Sequence, residues 1–315
     1  NERVLKPMQV KTDSTGAIIL AGHGTLFTDS LNKELQLTYN SKGITLSDCG
    51  RNISFQEIPR FLIQSTRIEL VERTDPVIEE FFRKYIDKNS PLTLIKSPSQ
   101  HLTQIKEALS LIKVCTPKLH NALMTSLRSI VLFQNPVLNS FAALQLHGMI
   151  FLNVCRPATT AFFLDGLVHQ GGHVIFSEAT LNRQDYFKVP PDTKMETISG
   201  RKDSRSVYEA THGLYTEYSL IKVMDRARRM LDLAPSKIIE LHARTAFILQ
   251  RLKCDLHRFS LYKSAIFSSK GIELFEYFEQ FCNHIEKKWP SAITFDFEDQ
   301  PDEFDFDKFL RKNSQ

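Results

Sequence analysis

The hydrophobic pattern of this chain changes its period near residue 75, and that change constrains the fold more than any other feature. Upstream, apolar and polar residues alternate, most clearly over residues 34–39 (ELQLTY), which is the pattern of a half-buried β-strand. Residues 40–43 (NSKG) are typical of a turn, so residues 44–46 are predicted to pair back as a hairpin. Residues 1–75 are therefore predicted to form a β-rich N-terminal lobe.

Downstream of residue 75, the apolar residues recur at the spacing of an α-helix. Asp75 and Pro76 are a typical N-cap and first helical residue. Residues 140–155 are predicted to form strands, and the polar residues 178–204 are predicted to form a loop. The predicted helices cover roughly 76–86, 99–113, 117–133, 158–177, 206–232, 235–257 and 271–288.

The predicted fold class is α+β, with a predominantly helical core domain, a few strands and the β-rich N-terminal lobe. The core domain covers residues 76–290, and an acidic aromatic tail covers residues 291–315. The tail is interpreted either as a solvated segment whose aromatic rings rest on the body or as a strand or lid over a peptide groove. Residues 295–307 carry seven acidic residues and no basic one, which leaves +11 of charge on the rest of a chain whose net charge is +4. That charge is too dilute to favour a nucleic-acid partner.

Composition excludes several other classes of protein. The hydrophobic share of 42% and the charged share of 24% are typical of a globular chain. No stretch approaches the ~18 consecutive apolar residues that span a bilayer, so no membrane partner is expected. The five cysteines are odd in number and never in CxxC spacing, which argues against a disulfide scaffold and favours a reducing, cytoplasmic location.

Two histidines, His169 and His173, lie four residues apart in a segment of helical period. This spacing places both rings on one helix face, where two nitrogen atoms can bind one metal ion at about 2 Å. Gly171 and Gly172 lie between them, and each costs roughly 1 kcal/mol in a helix interior. They indicate that something approaches the helix closely at this point. The alternative is a pair of half-buried histidines that make ordinary hydrogen bonds.

His212, in the next helical segment, would complete a set of three ligands with open positions for exogenous ligands. The alternative interpretation is that His212 is a core histidine held by hydrogen bonds. Glu178, Glu209 and Glu217 are alternative third ligands. Of these, Glu209 would give two histidines and one carboxylate, the commoner arrangement for non-haem iron.

Gln170 occupies the position where a zinc peptidase of this spacing needs a carboxylate. That carboxylate takes the proton from the metal-bound water, and a glutamine cannot do so. Peptide hydrolysis by the usual mechanism is therefore disfavoured. Non-haem iron with three protein ligands needs no such base to bind dioxygen and an oxidisable co-substrate.

Three segments in this order resemble a known family: SFAALQLHGMIFLN (140–153), LVHQGGHVIF (167–176) and RKDSRSVYEATHGLY (201–215). They are similar to the HExxH-motif peptide-modifying proteins found with ribosomally made peptide natural products. The preceding residues 108–133 resemble the helical pair of that family. The resemblance implies an iron(II)- and 2-oxoglutarate-dependent hydroxylase that acts on the β-carbon of residues in a precursor peptide.

The resemblance assigns His169 and His173 to the two motif histidines and His212 to the histidine of the downstream segment. Arg205 falls on the arginine of that segment. Gln170 departs from the family, which has glutamate there. The implied metal ligands are thus His169, His173 and His212, which are also the implied catalytic residues.

The far carboxylate of 2-oxoglutarate needs a cation, and arginine matches a carboxylate with a bidentate fork better than lysine does. Arg205 is the first candidate and Arg201 the second, while Tyr208 is a candidate for a hydrogen bond to the same ligand. Either arginine could instead be a solvated loop charge. Four polar residues around the strand before the motif helix are predicted to line the pocket: Ser140, Gln145, His147 and Asn153.

The sequence thus predicts an iron(II)- and 2-oxoglutarate-dependent dioxygenase that hydroxylates a precursor peptide. Its predicted cofactors are iron(II), 2-oxoglutarate and dioxygen, and its predicted partner is the peptide. The N-terminal lobe of residues 1–75 is predicted to help recognise that peptide by adding an edge strand to its groove. Two alternatives remain open: a degenerate zinc hydrolase, and a non-catalytic peptide-binding homologue.

Overall fold

The computed structural model describes residues 6–20, 23–40, 43–73, 76–85, 93–155, 158–230, 233–300 and 304–313. The strands are β1 (Met8–Lys11), β2 (Ala17–Leu20), β3 (Gly24–Phe27), β4 (Glu34–Asn40), β5 (Gly43–Asp48), β6 (Arg51–Ile53), β7 (Gln56–Pro59), β8 (Glu69–Val71), β9 (Thr93–Leu94), β10 (Ser129–Gln134), β11 (Phe141–Ala142) and β12 (Met149–Asn153). The helices are α1 (Pro76–Tyr85), α2 (Leu102–Cys115), α3 (Pro117–Ser126), α4 (Thr160–Ala179), α5 (Met195–Ser199), α6 (Val207–Met230), α7 (Pro235–Ser260), α8 (Lys263–Ile266), α9 (Ser269–Lys288) and α10 (Phe306–Asn313).

The N-terminal region is rich in strands, as predicted. Its antiparallel sheets have the orders β1-β4-β5-β6 and β2-β3-β7. The predicted hairpin is present, because β4 pairs with β5 and Leu37 lies opposite Leu46. Residues 41–42 of the predicted turn lie outside the described residues. The buried apolar face of this region consists of Ile18, Leu26, Leu35, Leu37 and Leu46.

A central sheet of order β11-β12-β10-β8 lies in the helical region, and β9 pairs with the far end of β10. Strand β10 runs parallel to both β12 and β8. One face of β10 packs with α2 and α4 through Ile130 and Leu132. The other face, with Val131 and Phe133, packs against α1. The sheet is therefore covered on both faces, which is usual for parallel strands.

The predicted helix over residues 117–133 is wrong in its second half. Helix α3 ends at Ser126, and Leu127 is extended. Residues 129–134 form β10, whose first five residues are buried. A short apolar run that is buried on all sides has no alternation, so its period does not distinguish a strand from a helix. The β-branched Ile130 and Val131 favour the strand once partners exist on both sides.

Helices α4 and α6 begin at well-formed caps. The Thr159 hydroxyl accepts a hydrogen bond from the backbone N–H of Phe162 at the start of α4. At the start of α6, the backbone N–H of Ser206 donates to the Glu209 carboxylate, and the Glu209 N–H donates to the Ser206 hydroxyl. This is a capping box. The predicted N-cap of α1, Asp75, lies outside the described residues.

Gly171 and Gly172, the two glycines between the motif histidines, are explained by helix packing. A Cβ atom on Gly171 would lie 2.3 Å from Leu123 of α3, and one on Gly172 would lie 3.0 Å from Thr216 of α6. The close approach predicted from the glycines is therefore that of neighbouring helices.

The described part of the acidic tail packs against α7. The ring of Phe247 lies 5.4 Å from the ring of Phe297 and 5.7 Å from that of Phe304. Both tail rings are buried, as is Phe309 in α10. None of the described helices combines the length and the apolar character needed to cross a bilayer.

Candidate functional site

A cavity of about 990 Å³ opens between α4, α6 and α7. Strand β11 and tail residues 304–307 contribute to its wall. This volume lies at the upper end of the range typical of small-molecule sites. All four of the predicted pocket residues line it: Ser140, Gln145, His147 and Asn153.

Three histidines lie together on one wall of this cavity, here called the histidine wall: His169, His173 and His212. The ring centres of His169 and His173, one turn apart on α4, are separated by 5.2 Å. The ring of His212, on α6, lies 5.1 Å from that of His173. The structure thus brings together the three residues that the sequence singled out.

All three imidazoles are held in the neutral form. Burial lowers the pKa of His169 to about 4, with a further contribution from the charge of Arg251. Burial, and then proximity to His169, lowers the pKa of His173 to about 3. Burial also lowers the pKa of His212 to about 3, helped by His173 and the charge of Arg183. Neutral imidazole is the form that binds metal ions.

Neighbouring side chains orient His212. The Ser177 hydroxyl lies 3.4 Å from its Nε2 atom, and the same hydroxyl donates to the His173 carbonyl oxygen at 2.9 Å. Because the Ser177 proton is used in that bond, Ser177 can only accept from His212. His212 would then carry its proton on Nε2 and direct the lone pair of Nδ1 towards His173. The rings of Phe176 and Tyr208 pack against His212, at 4.7 Å and 4.4 Å between centres.

Two of the three histidines have the spacing that a shared metal ion requires. The Nδ1 atoms of His173 and His212 are 3.3 Å apart, and two nitrogens bound at about 2.0–2.1 Å to one ion are separated by roughly 3.0–3.4 Å. Within the described parts of the chain, no group of three or more His, Cys, Asp and Glu side chains is arranged to hold a metal ion.

The alternative carboxylate ligands have other roles. Glu209 lines the cavity, but its carboxylate caps α6 through the Ser206 N–H at 2.6 Å. Glu178 accepts from Ser126 and lies 2.9 Å from His147 Nε2. Glu217 is buried beside Arg251 at 3.5 Å. Burial and the nearby charge of Asp255 raise the pKa of Glu217 to about 8.

Gln170 has a structural partner that explains its side-chain amide. Its Nε2 atom donates to the Ser140 carbonyl oxygen at 3.2 Å, and the residue is 6% exposed. This bond connects α4 to the segment that leads into β11. A glutamate here would place a buried carboxylate against a carbonyl oxygen, which is unfavourable unless the carboxylate is protonated.

Asn153 organises the cavity edge next to Ser140. Its side-chain amide donates to the carbonyl oxygens of Asn135 at 2.6 Å and Leu138 at 2.5 Å. The backbone N–H of Asn153 donates to the Ser140 hydroxyl at 3.0 Å. These bonds fix the loop between β10 and β11 against β12.

Arg205 and Arg201, the predicted carboxylate anchors, do not line the cavity. Arg205 donates from Nη1 and Nη2 to Asp255, at 2.7 Å and 3.0 Å, and from Nε and Nη2 to Asp203, at 3.0 Å and 2.8 Å. These two carboxylates raise the Arg205 pKa further above its usual range. Arg201 is exposed. A ligand carboxylate would have to displace one of the two aspartates to reach Arg205.

Tyr208 does line the cavity, but its hydroxyl group has a partner in the protein. The Thr180 hydroxyl donates to the Phe176 carbonyl oxygen at 2.6 Å. The Tyr208 hydroxyl, 2.8 Å from the Thr180 oxygen, is therefore the donor in their bond. This leaves the ring of Tyr208 as the surface presented at the cavity.

The sequence interpretation did not identify the α7 side of the cavity. Arg244 is buried and donates to Glu240 at 3.0 Å and to Asp165 at 2.8 Å, and its guanidinium lies 4.8 Å from the Phe304 ring centre of the tail. Glu240, Arg244 and Arg251 recur close to helical spacing on one face of α7. Polar residues on the buried face of a predicted helix were the available signal.

No protein-family model matches the chain, and no curated protein matches it significantly.

Proposed function

We propose that this protein is an iron(II)- and 2-oxoglutarate-dependent oxygenase that hydroxylates a peptide. The observation that carries the proposal is the histidine wall, in which three half-buried and neutral imidazoles face one large cavity. The donor type, the protonation state and the separation of the His173 and His212 nitrogens fit a metal ion. His169 is the third nitrogen donor of the proposed set.

Iron(II) at this wall, with its co-substrates, would supply the oxidising power to convert a C–H bond to C–OH. Overall, one atom of dioxygen enters the peptide hydroxyl group, and the other enters succinate as 2-oxoglutarate loses carbon dioxide. The chain's own contribution is to hold the imidazoles neutral and oriented, through burial and through Ser177. Phe176 and Tyr208 shield the His212 side of the site from water.

Strand β11 supports a peptide as the substrate. It pairs with β12 along one edge and is the terminal strand of its sheet as far as the structure describes the chain. Its residues Phe141 and Ala142 line the cavity. An extended peptide can add to such an edge through main-chain hydrogen bonds, which would place its side chains near the histidine wall.

The degenerate zinc hydrolase is supported less well. Gln170, at the position of the general base, points its amide at the Ser140 carbonyl oxygen. Because an amide cannot accept the proton from an attacking water, this side chain supplies no base.

Anaerobic titration with iron(II) and 2-oxoglutarate tests the proposal. We expect a visible absorbance band from the metal–co-substrate chelate, and succinate formation when dioxygen is admitted. His173→Ala should abolish both signals. His257→Ala, an exposed histidine on α7 away from the cavity, is the matched control and should retain them.

The absence of both the band and succinate in the wild-type protein would contradict the proposal. Retention of a peptide-binding signal in that case would favour the non-catalytic homologue. Zinc-dependent peptide cleavage lost in His173→Ala would favour the hydrolase.

A further inference from the structure

Among the described residues, three arginines line the cavity, and two of them are held close to buried carboxylates of the protein. Arg244 is held by Glu240 and Asp165. The Nε atom of Arg251 lies 3.5 Å from a carboxylate oxygen of Glu217. A ligand at either residue would compete with a buried partner, and breaking a buried ion pair is costly.

Arg183, which precedes α5, has a different environment. Its one ion pair with a described residue joins Nη1 to Asp192 over 3.8 Å, and the Asp192 side chain is 92% exposed. That separation exceeds hydrogen-bond distance, and a solvated pair of this kind contributes little. The guanidinium group of Arg183 is therefore available to bind a stronger partner.

The position of Arg183 relative to the histidine wall is set by Tyr208. The guanidinium carbon lies 3.9 Å from the Tyr208 ring centre, and that ring centre lies 4.4 Å from the His212 ring centre. The distance from the guanidinium carbon to the His212 ring centre is therefore no more than the sum of these two distances. The hydrogen bond from Tyr208 to Thr180 fixes the ring between them.

The guanidinium carbon of Arg183 lies over the face of the Tyr208 ring. An arginine stacked on an aromatic face keeps its N–H groups free at the edge of the guanidinium plane, where they can match a planar carboxylate. Such a fork selects a carboxylate by geometry as well as by charge.

We propose that Arg183 binds the distal carboxylate of the dicarboxylate co-substrate, with Tyr208 as the platform that positions its guanidinium. This inference rests on the proposed function, because the histidine wall would receive the other end of the same molecule. Two methylene groups separate the distal carboxylate of 2-oxoglutarate from its chelating end, which suits a cation one aromatic ring away from His212. Arg205, bound by Asp203 and Asp255, then has a structural role.

Calorimetric binding to the purified full chain tests the assignment with two probes: 2-oxoglutarate in the presence of iron(II) without oxygen, and glutarate without metal. Arg183→Gln should weaken both probes by roughly 10- to 100-fold, because a charge-assisted bidentate contact is lost. Arg183→Lys should lose affinity to a smaller extent. Asp192→Asn should change both constants by no more than about twofold, since the solvated Arg183–Asp192 pair contributes little. Arg201→Gln, a control on an exposed arginine outside the cavity, should leave both constants within about twofold of wild type.

The assignment would be overturned if wild type and Arg183→Gln bound the two probes with equal affinity. It would also be overturned if Arg201→Gln lost as much affinity as Arg183→Gln. Iron(II) affinity separates this outcome from a failure of the proposed function. If the wild type binds no iron(II) but glutarate binding depends on Arg183, the carboxylate subsite stands and the oxygenase proposal fails. If iron(II) and 2-oxoglutarate bind equally well without Arg183, the oxygenase proposal stands and the subsite assignment fails.

Discussion

The histidine wall and the cluster around Arg205 lie close together in the chain but differ in how their buried polar groups are satisfied. Arg205 lies directly before α6 and is bound by two aspartates, so the charge of the guanidinium is fully countered within the protein. His212, inside α6, is neutral and directs a ring nitrogen at His173. The comparison separates a cluster that stabilises the fold from one whose donor atoms suit a ligand.

The Arg205 cluster joins distant parts of the chain. Asp255 lies on α7, fifty residues away from Arg205, and Arg258 approaches the same carboxylate at 3.4 Å. A half-buried arginine with two carboxylates holds the start of α6 against α7. The histidines make no comparable ion pair among the described residues, so the two clusters should respond differently to mutation and to pH.

The largest expected effect on stability is at the Arg205 cluster. Arg205→Gln should lower the free energy of unfolding by about 2–3 kcal/mol, because it leaves Asp203 and Asp255 without their main partner. The value is below that of a fully buried pair, since the Arg205 side chain is 33% exposed. Urea unfolding monitored by circular dichroism measures it. Arg201→Gln should change stability by less than about 0.5 kcal/mol, and equal losses in both variants would contradict the distinction.

The histidine wall should make the protein sensitive to acid. The folded state holds the pKa of His173 at about 3, below its ordinary value of 6.5, so the unfolded chain binds more protons between these values. Stability is therefore fully present above pH 6.5 and falls as the pH drops towards the folded-state pKa. His173→Gln should make this fall shallower by about 1 kcal/mol per pH unit. Unfolding curves from pH 7 to 4.5 test this, with His257→Gln expected to match wild type.

A smaller effect is expected at Gln170, which connects the histidine helix to β11. Gln170→Glu should destabilise the protein by about 1–2 kcal/mol at pH 8, because the carboxylate is buried against the Ser140 carbonyl oxygen. Its folded-state pKa should be raised, so the deficit relative to wild type should shrink as the pH falls and the carboxylate is protonated. A deficit that is constant between pH 8 and 5 would contradict this account.

The effects expected at Gly171 and Gly172, behind the histidine wall, are no larger than the effect at Gln170. Gly171→Ala should cost about 1–2 kcal/mol, since overpacking against Leu123 outweighs the gain in helix propensity. Gly172→Ala should be within about 0.5 kcal/mol of wild type, because its contact with Thr216 is less severe. Thermal unfolding of the two variants compares their losses of stability. A larger loss in Gly172→Ala than in Gly171→Ala would refute the packing explanation.

The helices and the N-terminal strands were predictable where one face of an element meets solvent. Helix α9 was expected over 271–288 and covers Ser269–Lys288, and the β4–β5 hairpin is as predicted. Strand β10 was not predictable in the same way. Its residues are buried on both faces, so the amphipathic signal that distinguishes a strand from a helix is absent.

The meeting of His169, His173 and His212 was also predictable in part. The first two share a helix face by their spacing alone, and the third was placed by resemblance to a family. The role of Arg205 was not predictable, because the sequence shows an arginine near a candidate site but not which carboxylates will reach it. Arg183 gave no signal at all, since its proximity to His212 depends on the ring of Tyr208.

The sequence by itself determined the helical period, the paired histidines of α4 and the absence of a carboxylate at Gln170. These are local properties, set by neighbours within one or two turns of the chain. Only the tertiary structure decided that other helices pack closely against Gly171 and Gly172, that Arg205 is bound by Asp255, and that Arg183 lies over the Tyr208 ring that contacts His212. Those outcomes depend on contacts between residues far apart in the chain, and a helical or alternating pattern carries no information about which distant residues will meet.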